Sequence, residues 1–415
     1  MALSDPVATV VVPGSRWAER ALDVSRASAI VAAAAVPWST ALVSVACAVL
    51  LISLLVSGRT LRVSRVALSQ PLGIAVAVFF AVLIAGMWYG DAGWPQRAAS
   101  LWSWRKPAYL LILLGLFGQT DWKRRFVWAL IATAGVGVIA SFAAWAIGYA
   151  PKVATEPGVL LQNHSTQGMF FALAALCCAI VMPLERSPRV RWALAGLGIL
   201  LVSNIVFVAP GRSGYLALVP IAAVAGVRLL GWRRLPLVVV GLAAVSVLAY
   251  TASPQVRERI ALGVAEIETH RDSETLTSMG FRMNAWENTV ALVRARPLFG
   301  YGTGSFGKVY SERVKLRYED WRGEPATDPH NQYLMVLTEN GVVGLLAFLA
   351  VIVLAVREGV RASDSYRWIA LGALVAWTLT SLFNSHFRTF PEGHLIALVL
   401  GAMLAAPPSQ RVSTR

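Results

Sequence analysis

Apolar residues gather along this chain in runs of roughly 17–25, separated by short polar turns, and a helix of that length spans a bilayer. Twelve such runs are read near residues 23–36, 38–57, 71–89, 100–118, 123–149, 166–184, 190–209, 213–230, 234–251, 341–357, 366–386 and 391–407. Pro37-Trp38-Ser39 divides one long apolar stretch, so the first two are expected as a tight helical hairpin, one kinked helix being the alternative. The pattern predicts an all-α polytopic membrane protein of about twelve transmembrane helices. It divides into helices 1–9 over residues 1–251, a large outer loop over 252–340, and three more helices with a tail over 341–415.

The polar segment at 252–329 is too long to be a mere connector. Within it Met279, Met283, Trp286, Val290 and Val293 recur at steps of four and three, the apolar face of an amphipathic helix stopped by Pro297. A helix of that kind lies along a membrane surface or roofs the bundle. Pro297-Leu298-Phe299-Gly300-Tyr301-Gly302-Thr303-Gly304-Ser305-Phe306-Gly307 follows, glycine-rich enough for close approach to a ligand, although it is neither a Walker sequence nor a dinucleotide fingerprint. The segment closes on Asp328-Pro329-His330-Asn331-Gln332-Tyr333-Leu334. Asp328 is expected to cap a helix with Pro329 at its first position, placing His330 in the first turn near unpaired backbone N–H groups.

Charge adds an orientation. Only 14% of the 415 residues are charged and 57% are hydrophobic, far from a soluble composition. The net charge of +15 sits mostly in short loops on alternate sides: Arg16/Arg20/Arg26, Arg59/Arg62/Arg65, Lys123/Arg124/Arg125, Arg186/Arg189/Arg191, Arg228/Arg233/Arg234, Arg357/Arg361/Arg367 and Arg411/Arg415. The other short loops hold few basic residues, among them Lys152. That alternation is a topology signal, not a nucleic-acid patch, and puts both termini in the cytoplasm. Residues 1–27 lack the pattern of a cleavable signal peptide. Cys47, Cys177 and Cys178 all lie inside apolar runs and offer neither a disulfide framework nor a metal cluster.

Four outer-side features carry candidate chemistry. Arg212, after Ala209-Pro210-Gly211, can fork a phosphate or diphosphate, or simply snorkel to the interface; Ser213 can cap the helix that follows. Arg282, four residues before Trp286, can converge with Arg212 on one anion or pack on the indole. His330 can move a proton from an acceptor hydroxyl or orient a leaving diphosphate, or it can be an ordinary helix-start histidine. Tyr333 shares its helical face. His164 and the pair His386 and Arg388 sit at two further outer boundaries and line the same cavity or merely the interface. His394 lies within the last run, where an ionisable group suggests a relay, and His270 is read as surface. No His-Glu-x-x-His and no Asp-x-Asp motif occurs; no metal and no cofactor is expected, arginines serving in place of a divalent cation.

These residues together resemble the O-antigen ligase family, whose membrane fold is shared by O-antigen polymerases and pilin oligosaccharyltransferases. The resemblance rests on Gly211-Arg212-Ser213-Gly214, on Phe281-Arg282 with Trp286, on the 297–306 glycine run, and on His330-Asn331-x-Tyr333-Leu334 with Glu339-x-Gly341-x-x-Gly344. It extends over essentially the whole chain. It implies a C-type glycosyltransferase-like fold in a bacterial inner membrane, with its active site in the large periplasmic loop. It implies transfer of a glycan from undecaprenyl diphosphate to a sugar hydroxyl of lipid A–core, metal-independent and inverting, with membrane lipids as surroundings. On that resemblance Arg212 and Arg282 hold the diphosphate and His330 is catalytic, while Asn331, Tyr333, Ser213, His164 and Arg388 are candidates for substrate contact. O-antigen polymerase is the neighbouring alternative. A polyprenyl-linked sugar transporter or flippase is the alternative of another class, disfavoured because charges cluster at one face and no inverted repeat is visible.

Overall fold

The computed structural model describes residues 16–151, 156–209, 211–269 and 276–407, and among these the regular structure is helical throughout. Lys152, Pro210, His270, Arg411 and Arg415 lie outside the described residues. The helices run α1 (Arg16–Ala35), α2 (Thr40–Val56), α3 (Thr60–Leu68), α4 (Pro71–Trp88), α5 (Trp94–Ser103) and α6 (Lys106–Leu116). They continue with α7 (Thr120–Ala146), α8 (His164–Val181), α9 (Pro188–Phe207), α10 (Arg212–Leu230), α11 (Leu235–Ala252) and α12 (Pro254–Glu268). The last five are α13 (Ser278–Ala295), α14 (Phe306–Lys315), α15 (Gln332–Arg361), α16 (Arg367–Thr380) and α17 (Phe390–Met403).

The protein is a polytopic helical membrane protein. Among the described residues, seven helical stretches are long and apolar enough to cross a bilayer: α4, α7, α8, α9, α10, α11 and α15. The other five expected spans take different forms. The hairpin at Pro37-Trp38-Ser39 is real, since α1 ends at Ala35 and Ser39 caps α2 by accepting the Leu42 N–H at 3.2 Å. α1 carries charges along its first half, and α2 bends by 105° into α3. The run at 100–118 is broken near Trp104-Arg105 into α5 and α6, while α16 stops at Thr380 instead of 386. Pro107, at the second position of α6, shows the reason for the first break, because proline is tolerated only in an opening turn.

One large apolar core joins the bundle, drawing on α1, α2, α4, α6, α7, α8, α15, α16 and α17. A second, separate core lies in the outer segment: Ala285, Leu292, Phe306, Val309, Tyr310, Val314, Ala326 and Met335. The long polar loop is therefore a folded cap with its own interior. Its helix α13 corrects an expectation. Of the expected face Met279 is buried, while Met283, Trp286, Val290 and Val293 are only half-buried, and the other buried residues are Gly280, Asn284, Ala285, Asn288, Thr289 and Leu292. Small and amide side chains let α13 approach its neighbours, with Asn284 Nδ2 donating to the Arg322 carbonyl and Arg313 Nε donating to Asn288 Oδ1, both at 3.1 Å. The face read from periodicity is only partly covered, and the exposed positions of α13 are Ser278, Glu287, Arg294 and Ala295.

Gly341 splits α15. At φ 63° and ψ −162° it breaks the helical path, and the N–H groups of Val342 and Val343 turn to the carbonyls of Pro297 and Leu298. The short first half, 332–340, belongs to the cap, and the apolar span starts at Val342. The glycine run at 297–307 serves this junction. A side chain at Gly302 would stand 2.3 Å from Gly90 Cα and 2.6 Å from the Gly86 carbonyl, while Gly302 N–H donates to the Glu339 carbonyl at 2.7 Å. The close approach expected of these glycines is to the protein's own backbone, not to a ligand. At its centre the buried carboxylate of Glu339 receives the backbone N–H groups of Gly304 and Phe306 and, at 3.4 Å, the Ser100 hydroxyl.

Candidate functional site

Arg212 opens α10 and Arg282 lies near the start of α13, and the fold brings both to one cavity of about 280 Å³. Its walls come from α10 (Arg212, Ser213, Leu216), α12 (Ile260, Val264, Ile267), α13 (Met279, Arg282) and the end of α16 with the loop after it (Thr380, Phe383). The cavity is apolar apart from its guanidinium end, as a site for an anionic head on a hydrocarbon tail would be. Ser213 faces it but does not cap α10. The cap position is Gly211, which has no side chain to offer, and Ser213 stands inside the helix, one residue beyond Arg212.

Two positive charges here meet one carboxylate. Glu266 Oε2 lies 3.5 Å from both terminal nitrogens of Arg212 and also accepts the Met279 N–H at 3.0 Å. At that length, with Arg212 37% exposed, the ion pair is a weak one. Arg282 uses Nη1 on the Ser278 carbonyl at 3.0 Å and hydroxyl at 2.6 Å, and Nε on the Phe383 carbonyl at 3.2 Å. Burial, and then the like charge of Arg212, pushes the Arg282 guanidinium down from its ordinary value against the pull of Glu266. Such a pair is stabilised by an added anion. Trp286 turns away from Arg282; its Nε1–H donates to the Pro329 carbonyl at 3.0 Å and its ring packs on Phe383.

His330 departs from its expected place. The helix cap is Asn331, whose Oδ1 accepts the N–H groups of Tyr333 and Leu334 at 3.0 Å, so α15 begins only at Gln332. Asp328 caps nothing; its Oδ1 accepts the His330 N–H at 2.6 Å and closes a local turn. His330 therefore precedes the helix, in the left-handed backbone region at φ 52°, where only a few non-glycine residues sit. Its Nδ1 lies 2.9 Å from Asn384 Oδ1, and its ring meets Phe281 edge-on at 5.6 Å. Phe281 adjoins Arg282, and Asn384 adjoins Phe383. The same two pairs of neighbours thus hold His330 beside the arginine cavity.

The loop 381–389 between α16 and α17 is the hub of this arrangement, and sequence reasoning placed most of it inside a span. It receives Arg282 at Phe383, His330 at Asn384, Asn331 Nδ2 at the Leu382 carbonyl and the Gln332 N–H at the Ser381 carbonyl. Ser385 donates its hydroxyl to Asp328 at 2.9 Å. The signal that could have found it is Asn384-Ser385-His386, three polar residues interrupting an apolar run. Glu266 and α12 were also missed, although Val256, Ile260, Val264 and Ile267 recur at helical steps behind Ser253-Pro254.

The remaining candidates divide. His164 opens α8 against Gly211, where an added Cβ would stand 3.1 Å from its ring, so it neighbours the Arg212 turn. Arg388 is a strut, its Nε donating to Ser103 Oγ at 3.1 Å and its Nη1 lying 3.7 Å from Asp328 Oδ2. Asn331 is spent on its cap and on Leu382. Tyr333 donates its hydroxyl to the Thr378 carbonyl at 2.7 Å. These two set the shape of the site through backbone.

Residues 197–349 match the family described as O-antigen ligase, a stretch that contains Arg212, Arg282 and His330. The chain is 22% identical over 260 residues to an uncharacterized protein of Haemophilus influenzae, covering 59% of this chain and 63% of that relative's length. It is also similar to a chain in a structure described as the structural coordination of polymerization and crosslinking by a peptidoglycan synthase complex. That similarity has a TM-score of 0.44 at 15% identity, over 83% of this chain and 98% of the other.

Proposed function

We propose, for a chain whose residues 197–349 belong to the O-antigen ligase family, that it transfers a glycan from undecaprenyl diphosphate to a sugar hydroxyl of lipid A–core at the outer face of the inner membrane. The observation that carries this reading is the cavity holding Arg212 and Arg282, with the carboxylate of Glu266 weakly paired to Arg212 and apolar walls around the two guanidiniums. Two guanidiniums can take a diphosphate bidentately, and the apolar walls suit the first units of its polyprenyl tail. The twelve-span, C-type architecture with both termini cytoplasmic belongs to the same proposal.

The chemistry asks little else of the protein. A polyprenyl diphosphate is already a good leaving group. The acceptor hydroxyl oxygen attacks the anomeric carbon of the donor glycan, and its proton passes to His330. The bond from that carbon to the diphosphate oxygen breaks with inversion, and undecaprenyl diphosphate departs with the electron pair, its charge met by Arg212 and Arg282. Ser213 and His164 stand at the donor end of the site, and Arg388 holds the His330 segment through Asp328.

Ligation by the purified protein, with a polyprenyl diphosphate-linked donor and lipid A–core as acceptor, is the test. Arg212→Ala and Arg282→Ala are each expected to lower kcat by about 10²–10³-fold, His330→Ala by at least as much, and EDTA to have no effect. Full activity of either arginine variant would overturn the diphosphate assignment. In cells, deletion should leave bare core with polymer retained on its lipid carrier; core bearing single repeats would show a polymerase instead.

A further inference from the structure

We propose that Asn384 is a positioning residue for His330, holding the imidazole with its proton on Nδ1 and so making Nε2 the basic atom. This deepens the glycosyltransfer reading and rests on it for the role of Nε2, but the tautomer itself can be observed without any substrate.

The geometry is a single short contact inside a rigid frame. Asn384 Oδ1 lies 2.9 Å from His330 Nδ1, and an amide oxygen can only accept, so the ring nitrogen facing it donates. The imidazole cannot turn away easily. Its backbone is pinned by Asp328 on the His330 N–H at 2.6 Å and by the Asn331 cap immediately after it, and Phe281 closes one edge of the ring. Asn384 is equally fixed. The residues on either side of it, Phe383 and Ser385, bind Arg282 and Asp328, and Leu382 binds Asn331. The bond therefore joins two segments laced together at several other points, which is how an orienting partner fixes one tautomer and one ring direction.

The choice of an amide over a carboxylate also has a physical consequence. The charged and titratable groups around His330 are Asp328 on its own segment, Arg282 on α13, and His386 and Arg388 on the 381–389 loop. A carboxylate at 384 would sit next to the residue whose carbonyl binds Arg282 and would partly cancel the positive charge there. The amide accepts the same proton while leaving that charge for an anionic substrate. It stays a neutral acceptor at every pH at which the imidazole titrates.

The test is ¹⁵N NMR of histidine-labelled protein in nanodiscs, with the His330 signals identified as those lost in His330→Gln. Neutral His330 carrying its proton on Nδ1 is the expected result; a proton on Nε2 in the unaltered protein would overturn the proposal outright. In the ligation assay Asn384→Leu should lower kcat by roughly 10- to 100-fold with KM little changed, whereas Asn384→Asp should keep the Nδ1 proton, recover part of kcat and move the pH profile of kcat to higher pH. Equal kcat in the leucine variant, or an unmoved profile in the aspartate variant, would also count against it. Should no ligation be found at all, the functional reading fails while the tautomer remains decided by the spectrum.

Discussion

The arginines and the histidine that sequence singled out do share one region, but the residues that hold them there were mostly invisible along the chain. Arg212 and Arg282 stood out because a cation breaking an apolar pattern is rare, and their convergence needed α12 and the 381–389 loop to form the walls. His386 shows the limit from the other direction. Read with Arg388 as lining the outer cavity or merely the interface, it is 1% exposed, and neither ring nitrogen finds a hydrogen-bond partner among the described residues. Burial, outweighing the pull of Glu392 and Asp328, pushes the imidazole below its ordinary value of 6.5. The folded state thus prefers it neutral. Above pH 6.5 both states are neutral and it has no effect on stability; as pH falls below 6.5 the unfolded chain takes the proton first, and folding is destabilised by up to about 1.4 kcal/mol per pH unit. His386→Leu should therefore be as stable as the parent at pH 7.5, or more so by about 1 kcal/mol, and should lose that part of the dependence between pH 6.5 and 5.5. Thermal unfolding in detergent at the three pH values checks it. A leucine variant much less stable at pH 7.5, with its slope unchanged, would mean that the ring has a partner in solution.

At the scale of elements, periodicity served the bundle well and the cap poorly. The proline hairpin between α1 and α2 and the start of the span after Gly341 were both legible, because proline and glycine punctuate helices by backbone sterics alone. The buried face of α13 was not, because small and amide residues pack there and periodic apolarity marks a face that is only partly covered. The glycine run was noticed for the right reason and given the wrong neighbour. That correction can be tested with two alanines. Gly302 and Gly58 both have positive φ, at 88° and 64°, so each substitution carries the left-handed penalty of about 1–2 kcal/mol. Of the two, Gly302 also has backbone close to the added carbon, Gly90 Cα at 2.3 Å and the α4 carbonyl of Gly86 at 2.6 Å; around Gly58 nothing lies within 4 Å. Gly58→Ala is expected to lose only the conformational term, and Gly302→Ala about 3 kcal/mol or more once α4 and the 297–307 loop are forced apart. Unfolding midpoints of the two variants decide it. Equal losses would show that the loop can move off α4 and that its glycines keep some other task.

At the scale of the whole molecule, the cap, the arginine cavity and the 381–389 loop lie together, and the basic residues Lys123 near the start of α7, Arg186 between α8 and α9, and Arg228 near the end of α10 lie at helix ends away from them. Lys123 bonds Asp364 of the α15–α16 turn at 2.7 Å and Arg124 bonds Glu185 of the α8–α9 turn at 3.1 Å, so the start of α7 is tied to two connecting turns through ion pairs. Basic residues concentrate on the cytoplasmic side of inner-membrane proteins because short cationic loops are held back during insertion. On the proposed orientation the end with the cap is the periplasmic one, where a diphosphate-linked donor would be met. Single cysteines at Lys315, exposed at the end of α14, and at Arg186, exposed in the α8–α9 turn, report the two sides. The native Cys47, Cys177 and Cys178 are buried and need no removal. A membrane-impermeant maleimide should label Lys315→Cys in intact spheroplasts and Arg186→Cys only after permeabilisation. Labelling in the opposite sense would place the cap in the cytoplasm and remove the periplasmic reaction with it, whatever Arg212, Arg282 and His330 bind. Labelling of both in intact cells would break the alternation on which the orientation rests, leaving the cavity's chemistry to stand without a side.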